Sequence, residues 1–317
     1  MTLGHRFAAH DRAWLRLSPG QNEARSRVLA KLHDGTYELE ATPCFCGGPP
    51  RDLEISLRDR YGLPVRTVLC EHCGLMRSDP RMTAAAAARF YDEHYRDLYT
   101  GPGNGEALYR SQVARGRGLT QLLAKLLPQI ERVYEVGCGA GGLLAPFAEL
   151  GKQVAGVDLG GEYLEVGRGH GLALVQGDAS ALLAAQGRTA DLVLLMHVFE
   201  HYHDLHASAA ELATLLDPGG VLLVEVPGIA TIGTHYRSDL LSYLQNAHNY
   251  HFTATTLEFV LRRCGFDVLA CTESGVALCQ KPEAPTATMV PPPRGEAARV
   301  LDMLRGFEAA FVRANAA

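Results

Sequence analysis

Residues 134–142 read YEVGCGAGG, an apolar strand that runs into a turn holding Gly137, Gly139, Gly141 and Gly142. Glycine has no Cβ and adopts φ > 0 freely, so such a turn lets the backbone approach a ligand closely. The next apolar run, VAGV at 154–157, ends on Asp158. A carboxylate at that place can accept hydrogen bonds from the hydroxyls of a ribose. Strand, glycine turn and acidic residue together point to a nucleoside-containing ligand.

Two ligands compete for this turn. Residues 137–142 satisfy G-x-G-x-x-G, with Asp158 about 20 residues on, as the dinucleotide fingerprint asks. Glu135, however, precedes Gly137 by two residues. A carboxylate facing the turn disfavours a pyrophosphate and favours a cationic ligand. The pattern E-x-G-x-G-x-G-G resembles motif I of class I S-adenosylmethionine-dependent methyltransferases. That resemblance implies that Glu135 orients the amino-acid end of the cofactor, with Gly137, Gly139 and Asp158 completing its seat. VQGDA at 175–179 looks like the family's third strand, and Asp178 then contacts adenine; Asp178 also has the place of a helix N-cap. DLVLLM at 191–196 reads as a strand buried on both faces. It leads into HVFEH at 197–201, similar to the family's h-V-L-E-H segment, which puts His197 at the cofactor pocket. DPGG at 217–220 then turns into another apolar strand. The resemblance runs through most of residues 121–281. It implies an α/β fold, a doubly wound Rossmann-like sheet of seven mainly parallel strands.

A net charge of −5 gives no general pull toward nucleic acid or an anionic membrane. No apolar run reaches the roughly 18–20 residues needed to span a bilayer. The first 14 residues mix Arg, His and Asp with no apolar core, so a secretory signal is not expected and a cytoplasmic location is. Eight cysteines in that compartment read as thiols or metal ligands. Cys44 and Cys46 lie in PCFCGG, and Cys70 and Cys73 in CEHCGL. Four soft thiolates on two glycine-backed knuckles suit a structural, tetrahedral Zn2+, although the first pair is C-x-C rather than C-x-x-C. Unmetallated thiols are the alternative. His72 lies inside the second knuckle as a bystander.

The chain divides into a helical lead-in (1–40), a four-cysteine, zinc-ribbon-like module (41–82), a helical, Tyr-rich linker and lid (83–120), the methyltransferase domain (121–281), and a Pro-rich linker with a C-terminal helix (282–317). Thr83 is placed to cap a helix over 84–90, and GPGNG at 101–105 is a break. Leu301, Leu304, Phe307 and Phe311 recur at helical spacing. That last helix fits two destinations, its own domain or a homodimer contact.

A four-cysteine module before such a domain resembles the zinc-containing sugar C-methyltransferases. CEHCGL is similar to their second knuckle, FYDEHYRDLY at 90–99 to their Tyr-rich segment, and AHNYHFTAT at 247–255 to their E-H-F-F-x-F-[ST]-A-[TS] segment. By that resemblance His201 and His248 are active-site histidines, Tyr95 or Tyr99 is the catalytic tyrosine, and His251 lies beside them. Ala247 stands where the family has an acidic residue, so a Glu–His pair is missing from the motif. Removing a carbon-bound proton from a keto sugar needs more than a lone imidazole. O-methylation needs one base near the nucleophilic oxygen and an in-line methyl about 3 Å away. The expected function is methyl transfer to a sugar, nucleotide-sugar or glycan acceptor, O- slightly favoured over C-methylation, with a histidine base. The alternatives are a non-sugar small-molecule enzyme of quinone or polyketide type, or a macromolecule methyltransferase that binds through the zinc module. Glu200, His201, His203 and Asp204 also look like a metal cluster, but helical spacing would scatter their side chains.

Overall fold

Seven strands form the sheet that carries the glycine turn. The structure, a computed structural model, describes residues 3–99, 104–284 and 290–316. Most of the 101–105 break and the middle of the Pro-rich linker lie outside the described residues. In the first sheet, β1 (Asp52–Ser56), β2 (Thr67–Cys70) and β3 (Met76–Ser78) form an antiparallel meander. The large sheet then uses β4 (Arg132–Val136), β5 (Gln153–Asp158), β6 (Ala173–Gln176), β7 (Ala190–Met196) and β8 (Leu216–Glu225). After β9 (Tyr250–His251), β10 (Asp267–Cys271) and β11 (Val276–Gln280) close it, in the spatial order β10-β11-β8-β7-β4-β5-β6. β4 to β8 pair in parallel, and β11 runs antiparallel to both β8 and β10. This is the mostly parallel, Rossmann-like sheet that the glycine motif implied. Ligands of such sheets gather beyond the carboxyl ends of the strands, which here means the residues after Val136, Asp158 and Met196.

Local signals explain the helices that frame this edge. Ser18 and Gln21 form a reciprocal capping box for α1 (Pro19–His33). The Thr83 hydroxyl accepts the Ala86 N–H at the start of α2 (Ala84–Phe90). Asn104 caps α3 (Gly105–Leu122), whose Gly116 lies against the Leu143 carbonyl. Asp178 caps α4 (Ala179–Gln186), Asp204 caps α5 (Leu205–Thr214), and Thr253 caps α6 (Ala254–Arg263).

The module is welded to the large domain. β9 pairs with β3, so residues just after His248 become the fourth strand of the cysteine module's sheet. Cys46, Cys70, Cys73 and Leu75 share one apolar core with Val193, Leu195, Phe252, Leu257 and Phe259. The final helix, α7 (Glu296–Asn315), packs on its own chain through Val300 and Leu304, against Phe7, Ile55 and Ile229.

Candidate active site

The turn after β4 is built for close approach. Gly137, Gly139 and Gly141 all have positive φ, at 74°, 56° and 73°. A Cβ at Gly137 would collide with Val198, and one at Gly139 would come within 3.2 Å of Gln112 Nε2. Gln112, on α3, brackets the turn: its Oε1 accepts the Gly142 N–H at 3.1 Å and its Nε2 donates to the Cys138 carbonyl at 2.9 Å. Sequence patterning gives no sign of Gln112, because this contact joins α3 to a turn across 26–30 residues.

Glu135 ends up 1% exposed beneath the turn, and neither carboxylate oxygen has a hydrogen-bond partner. Burial, reinforced by the Asp158 carboxylate and opposed by Arg115, pushes its carboxyl well above the usual range. A buried carboxylate left in that state is costly unless something cationic meets it. Asp158 accepts the Gly139 and Gly160 N–H groups, one on each oxygen, both at 2.8 Å. Each oxygen keeps lone-pair capacity for a ribose hydroxyl. Asp178 accepts from the Ala181 N–H and the Ser180 hydroxyl, which realises its N-cap reading. The orphaned Glu135 and the cradle that a Cβ would fill both fit S-adenosylmethionine.

His197 follows β7 with φ at 58°, a sparsely populated conformation for a non-glycine residue. Its Nε2 lies 3.3 Å from Glu225 and its Nδ1 3.7 Å from Glu200. Burial lowers its imidazole, but the two carboxylates outweigh that and bring it up to about 9. Arg115 pairs with the same Glu225.

Next to this edge the fold gathers the expected acceptor-side residues. His201 and His248 stand edge to face, ring centroids 4.9 Å apart. His201 Nδ1 is 2.8 Å from the Ala247 carbonyl and 2.7 Å from the Tyr91 hydroxyl. Tyr91, Tyr95 and Tyr99 stack in a ladder with centroids 4.6 and 4.7 Å apart, because i, i+4 spacing aligns them across a π-helical turn at Tyr91–Tyr95. Burial, then the Glu200 carboxylate, pushes the Tyr95 phenol up to about 12. The Tyr99 hydroxyl instead donates to Asn246. His251 is 1% exposed behind His248, and burial takes its imidazole down to about 3.

The missing Glu–His pair is restored from elsewhere in the chain. Glu200 Oε1 lies 3.7 Å from His248 Nε2 and 3.9 Å from His201 Nε2. Ala247 therefore does not leave His248 without a carboxylate. Helical spacing separates the residues of the 200–204 run only in part: Asp204 caps α5 and His203 turns to the Met82 carbonyl, while Glu200 and His201 join His248.

The four cysteines also converge. Their sulfurs lie within 4.8 Å of one another, with Cys44–Cys73 at 3.5 Å and Cys46–Cys70 at 3.8 Å. Tetrahedral zinc with bonds of about 2.3 Å sets sulfurs roughly 3.8 Å apart, so the donor set fits that ion.

Residues 109–270, just over half of the chain, match the family described as "Methyltransferase domain". The chain belongs to the methyltransferase domain family. Among curated relatives of this methyltransferase domain, a ubiquinone biosynthesis O-methyltransferase from Chelativorans sp. is 33% identical over 142 residues, 41% of this chain and 56% of the relative. One from Xanthomonas axonopodis pv. citri is 35% identical over 145 residues, 42% of this chain and 60% of the relative. The match thus spans little more than half the length of these relatives. Among solved structures, a SAM-dependent methyltransferase from Archaeoglobus fulgidus is 24% identical, with 48% of this chain and 70% of that chain covered and a TM-score of 0.39. An amino pentose methyltransferase from Micromonospora echinaspora is 28% identical, with 38% and 55% covered and a TM-score of 0.33. The expected sugar acceptor is overturned here, because the curated relatives are O-methyltransferases of ubiquinone biosynthesis. The family match reaches the general methyltransferase domain and does not extend to the zinc-containing sugar group.

Proposed function

We propose that the domain transfers a methyl group from S-adenosylmethionine to a hydroxyl oxygen of an aromatic small molecule of the quinone-precursor type. The observation that carries this reading is the likeness of the domain to ubiquinone O-methyltransferases. The tyrosine ladder beside the Glu200–His201–His248 cluster supports it, since stacked aromatic side chains offer a flat acceptor an offset-stacking surface.

S-adenosylmethionine supplies an electrophilic methyl on a sulfonium sulfur. Glu135 meets the cofactor's ammonium, Gly137 and Gly139 admit it, Asp158 takes the ribose, and Asp178 and His197 border the remainder. Tyr95 lies over the acceptor side, and the Tyr99 hydroxyl donates to the Asn246 side-chain oxygen and accepts the Ala247 N–H. His201 and His248 face the oxygen that must lose its proton. Most of the rate enhancement comes from alignment and exclusion of water. Cys44, Cys46, Cys70 and Cys73 hold a structural Zn2+ that keeps the module folded.

The test is a panel of hydroxylated benzoates and catechols incubated with methyl-labelled cofactor. Label should appear on a phenolic oxygen, and His201→Ala should lower turnover by about 100-fold or more, the usual scale for removing an acid–base group. No labelling of any aromatic hydroxyl would overturn the acceptor class.

A further inference from the structure

Glu200 is the most unusual side chain in the acceptor half. It is 1% exposed, and neither oxygen has a hydrogen-bond partner. Three imidazole nitrogens surround Oε1 at 3.7–3.9 Å, beyond hydrogen-bond reach. So placed, the carboxylate has three ion-pair contacts longer than a hydrogen bond and no donor within hydrogen-bond reach, which leaves its lone pairs open to a cation.

We propose that Glu200, His201 and His248 hold a divalent first-row transition-metal cation. Their ligand atoms all lie within 4.8 Å of one another. Ligands about 2.0–2.2 Å from a shared ion stand roughly 3.0–3.6 Å apart, so the Glu200–imidazole distances of 3.7 and 3.9 Å need shorten only by tenths of an ångström, and the two imidazoles by up to about an ångström. Two imidazoles and one carboxylate suit zinc, manganese, iron or cobalt better than calcium or magnesium.

The surroundings support the assignment. The Ala247 carbonyl lies 2.8 Å from His201 Nδ1, so that nitrogen donates and Nε2 turns its lone pair toward Glu200. An outer acceptor that fixes the tautomer is the usual companion of a metal-bound histidine. Gln245 contacts His248 Nε2 and is itself held by Arg60, so loading requires that amide to turn aside. His197, half-exposed, pairs with Glu225 at 3.3 Å and also approaches Glu200 at 3.7 Å on this side. Three protein ligands leave coordination positions free on that side. There a cation would acidify an acceptor hydroxyl, and with both imidazoles committed to it that acidification would take the place of a histidine base. What the ion does rests on the proposed reaction; whether it binds does not.

The full chain, with its thiolate site saturated with zinc, is titrated with Co2+ by calorimetry and absorption. Expected is one further equivalent, with ligand-field bands and no thiolate charge-transfer band. Glu200→Gln and His248→Ala, each checked for fold by circular dichroism, should weaken it by at least about 10-fold. Absence of a second equivalent, or one that persists unchanged in both variants, would overturn the site. Binding of S-adenosylhomocysteine and labelling of phenols are measured separately, so either outcome is distinguishable from failure of the proposed reaction.

Discussion

Glu135→Gln weakens binding of S-adenosylhomocysteine by about 30-fold to over 1,000-fold, while binding of methylthioadenosine, which has no amino-acid arm, changes little. Removing one partner of a buried charged contact costs about 2–5 kcal/mol. Glu135 qualifies for that scale because it is buried and has no other partner. Glutamine keeps the shape, so the loss reports charge alone. Calorimetric titration of both ligands against wild type and variant checks this; equal losses for the two would place Glu135 outside the amino-acid subsite. The raised carboxyl of Glu135 also fixes a pH dependence. Over the pH range in which the raised free carboxyl still carries its proton, the cation-paired bound form must release it, so cofactor affinity should rise with pH there and fall as the medium is acidified.

The second large effect separates the two halves of the site. If the four cysteines hold the proposed zinc, Cys70→Ser should abolish acceptor turnover and weaken S-adenosylhomocysteine binding far less, because the module shares an apolar core with β4 and β5 but supplies none of the cofactor seat. A structural zinc site supplies its module with about 10 kcal/mol or more of folding free energy, so losing one thiolate melts the module. The acceptor half depends on that module. The Ser78 hydroxyl donates to the His248 carbonyl at 3.0 Å, the Ser78 N–H donates to the Asn249 carbonyl at 3.0 Å, and β9 is a strand of the module's sheet. The glycine turn hangs instead from β4 and β5 and from Gln112. Zinc content by elemental analysis, a thermal melt and the two assays together check this prediction. Full turnover in a zinc-free Cys70→Ser protein would contradict it.

How much of this was legible in the sequence follows from the range of each contact. The glycine turn, its strand and Glu135 lie within nine residues, and their chemistry can be read as a unit. Helix starts at Thr83 and Asp178 were legible for the same reason, since a cap acts over three residues. The two cysteine knuckles carried their own spacing across the gap between them. Glu200 and His248 are 48 residues apart, and no periodicity links them; β9 had to add to β3 before the pair could form. Ala247 thus suggested a lost carboxylate that the fold in fact supplies from the turn after β7. Gln112 was invisible for a similar reason. The acceptor was the furthest from the sequence: local likeness to a sugar-modifying group pointed one way, and the O-methyltransferase relatives of the domain pointed another.

The seat formed by Glu135, the glycine turn and Asp158 underlies every other assignment, and one titration tests it directly. The wild-type chain is titrated by calorimetry with S-adenosylhomocysteine and, separately, with NAD. Expected is a single saturable site for S-adenosylhomocysteine and far weaker or absent heat with NAD, because the buried Glu135 carboxylate repels a pyrophosphate. Tighter binding of NAD, or no binding of S-adenosylhomocysteine, would contradict that seat.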